Sequence, residues 1–182
     1  MRRVSVYVDG AYFVHGCRGL GLSINIDLNG LVSQLMPDAQ WARKYFFNSI
    51  APTHIYPARR AHELKISERF KEQGFEPVIY EAEIKAHIYI DRGIEGGIST
   101  RLLSEASTDE YDVALIISRR PHLAEAIQAV RQMGKTVELR FFEYLTDPVN
   151  VLIPHCDNYA EISVPQVAEF VISGGRPVYA FR

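Results

Sequence analysis

The chain has 182 residues, of which 47% are hydrophobic, 20 are Lys or Arg and 22 are Asp or Glu, for a formal net charge of −2. That length suits one core, the apolar share excludes a disordered chain, and the near-neutral balance excludes a basic nucleic-acid coat while leaving room for a local basic site. Two cysteines, Cys17 and Cys156, are too few for a disulfide framework or a zinc cage, and no run of about 18 or more apolar residues offers a membrane span. The N-terminal MRRVSVYVDG is interrupted by Asp9 and does not read as a signal peptide, so a cytoplasmic, reducing setting with no membrane is the expectation.

In chain order, Val4 to Val8 is a short apolar run closed by Asp9-Gly10, as in a buried strand with a carboxylate at its C-terminal end. Asp27 is an N-cap candidate for a helix whose Leu28, Leu31, Val32 and Leu35 share one face. Lys44 to Ile50, rich in aromatics, reads as a second strand. Pro57 to Gln73 reads as a helix opened by Pro57 and stopped by Gly74, followed by a strand from Glu76 to Tyr80. Lys85 to Ile90 is a hairpin arm or an extended segment, residues 93–97 a flexible glycine turn, and Ile98 to Ala106 a helix. Val113 to Ile117 is the clearest buried strand. Pro121 opens a helix with Leu123, Ile127 and Val130 on one face, Gly134 ends it, and Thr136 to Phe142 is the next strand. Asp147-Pro148 starts a short helix toward His155, and Tyr159 to Val164 is the last strand.

Strands alternating with helices predict an α/β fold, a three-layer α/β/α sandwich around a mainly parallel sheet. The expected domain is 1–164, with 165–182 as a C-terminal extension that adds an edge strand or meets a partner. In such sheets ligands sit at the carboxyl ends of strands. That rule selects Asp9 and the segment Ser118 to His122.

These pieces, in this order, resemble a known family. Val4-Ser5-Val6-Tyr7-Val8-Asp9-Gly10 is similar to the opening strand of NYN domains, the LabA-like branch of the PIN-like ribonucleases. Gly93-Ile94-Glu95 stands where these domains carry a Gly-Val-Asp-type segment, and Tyr111 to Ser118 resembles the strand before their Ser-Gly-Asp-Ser-Asp-Phe motif. Gly134-Lys135-Thr136-Val137 and Cys156-Asp157-Asn158-Tyr159 match in type, so the resemblance spans 3–163. It implies a PIN-like fold and cleavage of RNA phosphodiesters by carboxylate-bound Mg²⁺ or Mn²⁺, since hard cations take oxygen ligands and activate water.

Against that pattern the chain keeps Asp9 and offers Glu95 as a longer second acid, so these two are the candidate catalytic carboxylates. Ser118-Arg119-Arg120-Pro121-His122-Leu123 places Arg120 and His122 where both motif carboxylates belong. Tyr12 stands where an Asn is frequent, and Arg101 where another acid is common. Arg cannot shed its proton, so an inward Arg120 pairs with Asp9 or Glu95 and takes over the metal's electrostatic role, with no cofactor. Arg119, Arg120, His122, Tyr12 and Arg101 then become the candidate phosphate or nucleic-acid contacts. The alternative keeps catalysis, with Asp9, Glu95 and His122 as a two-carboxylate, one-imidazole metal site, which suits Mn²⁺, Fe²⁺ or Zn²⁺ better than Mg²⁺. A third reading is a structural subunit that meets a protein partner or a second copy through its tail, with Phe170, Val171, Ile172, Val178 and Phe181 at the contact. For function the sequence favours an RNA-binding domain or interaction module with lost or weakened nuclease activity.

Overall fold

The computed structural model describes residues 2–142 and 150–172. The expected helix start at Asp147-Pro148 and the tail residues Val178 and Phe181 lie outside them. Six parallel strands form the main sheet: β1 (Arg2–Asp9), β2 (Ala39–Ile50), β3 (Glu76–Glu81), β6 (Val113–Ile117), β7 (Thr136–Phe142) and β8 (Asn158–Ile162). A separate antiparallel hairpin pairs β4 (Glu83–Lys85) with β5 (Ile88–Ile90). The helices are α1 (Gly10–Gly19), α2 (Leu28–Leu35), α3 (Pro57–Glu72), α4 (Ile94–Ser107), α5 (Ala124–Gln132) and α6 (Val164–Glu169). The three-layer parallel α/β architecture expected from the alternation is the one observed.

Why these strands are buried on both faces follows from their residues. Val4, Val6 and Val8 of β1, with Val113, Leu115 and Ile117 of β6, pack in the layer of α1, α2 and α3. Tyr7, Ala114 and Ile116, which alternate with them, pack with Ile94, Ile98 and Leu102 of α4 and Ile127 and Val130 of α5. The strand order is β3-β2-β1-β6-β7-β8. The chain therefore winds outward from β1 to β3, crosses back, and winds outward again from β6. The reversal falls between β1 and β6, where a doubly wound sheet opens its binding crevice.

Three local differences from the sequence reading have physical causes. Residues 94–97 are the first turn of α4, not a flexible turn. Gly93 takes the left-handed conformation (φ 81°) as the N-cap, and Ile94 and Ile98 are buried one turn apart. The Tyr80 ring lies against Gly93 and Gly97, where any side chain would collide with it. The start of the tail forms α6, closed by a capping box between Ser163 and Gln166. Beyond α6, Val171 pairs with Ile26, and Phe170 and Val171 pack against the core while Ile172 stays exposed. The helix α1 was not expected at all. Its buried face is Gly10, Phe13, Gly16 and Cys17, and the bare backbone at Gly16 leaves the space that the Phe142 ring fills. Among the described residues no helix is long and apolar enough to cross a membrane.

One polar group sits inside the α4 layer. Glu105, 5% exposed, accepts from Ser5 Oγ (3.2 Å) and Tyr7 Oη (2.9 Å). Burial, and then the Glu105 charge, hold the Tyr7 hydroxyl well above the usual phenol range, so it remains a donor. Replacing the acceptor alone strands both hydroxyls. Glu105→Leu should lower the unfolding free energy by about 2 kcal/mol in urea titrations. Adding Tyr7→Phe and Ser5→Ala removes the stranded donors and should recover most of that loss.

Candidate functional site

Asp9 ends β1 at the reversal point and is 1% exposed. It does two jobs. One oxygen, Oδ1, caps α1 by accepting from the Tyr12 N–H (3.1 Å). The other, Oδ2, accepts from Ser118 Oγ (3.1 Å) and from Arg120 Nε (2.6 Å). Ser118 follows β6 directly, is buried, and is tied down by Asn150, whose Nδ2 donates to its carbonyl (3.1 Å). The Ser118 hydroxyl accepts from the Arg120 N–H (3.2 Å), which fixes the turn. Pro121 disfavours a helical conformation at Arg120, whose ψ is 115°, so the helical turn starts one residue later and the guanidinium reaches back to Asp9.

The second carboxylate comes from the hairpin. Arg120 Nη2 lies 3.2 Å from Asp91 Oδ2, just after β5. Burial works against the Arg120 charge, and the attraction of Asp9 and then Asp91 more than offsets it, so its pKa lies above the ordinary value. The hairpin turns on Ala86 (φ 47°) and His87 (φ 64°), two left-handed residues in a two-residue loop. It is anchored by Tyr89, whose hydroxyl donates to the Ser49 carbonyl (3.0 Å) and whose ring lies 3.7 Å from the Arg59 guanidinium. Burial, with Glu63 nearby, pushes the Tyr89 hydroxyl up to about 12, keeping it a donor at neutral pH.

Around this triad opens a cleft of about 1020 Å³ between α1, α3 and the hairpin, floored by Asp9, Asn48 and Ser49 at the ends of β1 and β2. Four arginines line it, Arg18, Arg59, Arg119 and Arg120, against three carboxylates, Asp9, Glu63 and Asp91. Of the residues expected from sequence, Asp9, Tyr12, Arg119 and Arg120 line the cleft. Glu95, His122 and Arg101 do not. Glu95 is carried off in the first turn of α4, and His122 points outward, exposed, from the short 3₁₀ turn Pro121–Leu123. Arg101 pairs with Glu76 (3.0 Å) and lies over Tyr45 (4.7 Å), at the start of β3 rather than at the strand ends. Asp91 was missed. The one signal for it was a carboxylate directly after the apolar Ile88-Tyr89-Ile90.

A divalent metal does not fit the residues as arranged. Both Asp9 oxygens are occupied by protein donors, Arg120 stands between Asp9 and Asp91, and a fixed guanidinium repels a second cation at close range. Among the described residues no group of three or more His, Cys, Asp or Glu side chains is placed to hold a metal ion.

The sequence model of the NYN domain matches residues 3–163. No curated protein sequence matches the chain. Among solved structures, a protein of unknown function from Vibrio parahaemolyticus superposes with a TM-score of 0.65 at 17% identity, covering 94% of this chain and 96% of that one. That likeness concerns the fold alone.

Proposed function

The chain belongs to the NYN-domain family, and from that premise we propose that it binds RNA phosphates in the cleft through its arginines without metal-dependent cleavage. The observation that carries this reading is the Arg120 guanidinium bonded to both Asp9 and Asp91. An Arg that is always charged holds the two carboxylates together as a metal would, but it provides no bound water to activate. The Arg120 guanidinium has donors beyond those it gives to Asp9 and Asp91, and Arg119 lines the same cleft beside it. The described part of the tail is spent on the chain's own core, through Phe170 and Val171, which favours the RNA reading over a partner held by that segment.

The test is incubation of labelled single-stranded RNA with the protein, with Mg²⁺ and Mn²⁺ supplied separately, beside Asp9→Ala. The expected result is intact RNA under both ions and binding by filter retention. Arg119→Ala should weaken that binding about tenfold. Metal-dependent cleavage that disappears in Asp9→Ala would sink the reading.

A further inference from the structure

The cleft has a second basic end that the Asp9–Arg120 triad does not use. Helix α1 presents Ala11, Val14, His15 and Arg18 to it, and α3 presents Arg59, His62, Glu63 and Ile66. Each set follows the spacing of one helical face, so two helix faces look at each other across the opening. At that end Arg18 Nη2 lies 3.4 Å from His62 Nε2. Both side chains are exposed, as is His15.

The partners of the cleft cations differ. Arg59 is paired with Glu63 (2.8 Å), and Arg120 with Asp9 and Asp91. Arg18 has no carboxylate within ion-pair distance among the described residues, and neither has His15 or His62. A guanidinium only donates, so in this contact His62 Nε2 can only accept. The contact is therefore a poor substitute for an anion, which would accept from Arg18 and from a His62 ring N–H together. From Ala11 to Arg18 α1 advances seven residues, about 10 Å. One phosphate cannot reach both ends.

We propose that Arg18 and His62, with His15 beside them, form a second phosphate subsite, so that the cleft takes a single RNA strand at two separate phosphodiesters. This rests on the RNA-binding reading of the same cleft and adds its register: one phosphate at Arg119–Arg120, and a later one two helical turns along α1. A mononucleotide fills one subsite, and a longer strand fills both.

The experiment measures the affinity of the full chain for uridine 5′-monophosphate and for 5′-phosphorylated oligouridylates of increasing length. Wild type, Arg18→Gln and His62→Gln are compared with Lys65→Gln, which removes an exposed charge from α3 outside the cleft. Wild-type affinity should rise about tenfold once the strand spans both subsites. Arg18→Gln should abolish that step, and the salt slope for the longest strand should fall by about 0.7. His62→Gln should reduce the step, and Lys65→Gln should keep it. If the step survives in Arg18→Gln and His62→Gln, the second subsite is wrong while RNA binding stands. If no uridylate of any length binds the wild type, the RNA-binding reading falls and the subsite falls with it.

Discussion

Replacing Arg120 by Ala should lower stability by about 3 kcal/mol, read as a fall in Tm of roughly 6–12 °C. The reason is what remains behind. Asp9, 1% exposed beside Arg120, keeps only Ser118 Oγ and the Tyr12 N–H to answer its charge, and Asp91 loses its partner at the cleft wall. The same variant opens the space between two carboxylates. Mn²⁺ should then raise the Tm of Arg120→Ala by several degrees and leave the wild type unmoved, because only the variant offers unpaired oxygens to a hard cation. A variant as stable as wild type, or one indifferent to Mn²⁺, would show that the guanidinium is not what holds Asp9 and Asp91 together.

Gly10→Ala is the second large effect, about 3 kcal/mol or more by urea denaturation. The new methyl carbon would lie 2.7 Å from the Phe47 carbonyl oxygen and against the Phe46 ring, both in the middle layer of the sheet. A ring can tilt, but a strand carbonyl paired across from Asp9 cannot move without shifting β2 against β1. The damage should therefore extend to the site. In this variant the Asp9–Arg120 pair should loosen, and the RNA binding proposed for the cleft should fall along with stability. This is the physical content of the Asp-Gly pair: the acid caps and points, and the following residue must have no side chain because the helix starts in contact with the next strand.

What could be read from the sequence depended on how local the cause was. Asp9 and Arg120 lie at the ends of two apolar strands, so the strand-end rule located both without any tertiary knowledge. Asp27 and the helix after it were equally local, and the structure shows Asp27 capping Gly30. Helix α1 was illegible because Gly10, Gly16 and Gly19 depress helix propensity; its cause is the Phe142 ring, which arrives from residue 142. The same holds for Glu95 and Asp91. A glycine-flanked acid looked like a loop ligand, whereas Tyr80 seats on those glycines and starts a helix, so the acid facing Arg120 is the one four residues earlier. His122 and Arg101 were placed by alignment to a motif, and neither position lines the cleft once the chain is folded.

The hairpin that carries Asp91 has a consequence for the charge of the cleft. Two strands of three residues form a ribbon that holds its shape only where it is pinned. The pins are Tyr89 on Ser49 and Arg59, and Asp91 on Arg120. Amides of β4 and β5 should therefore exchange with deuterium sooner than those of β1 and β6. An excursion that broke the Asp91 contact would withdraw one negative charge from Arg120 and leave Asp9 in place. The wall of the cleft would then become one unit more positive with no proton gained and none lost, a change of charge set by geometry instead of pH.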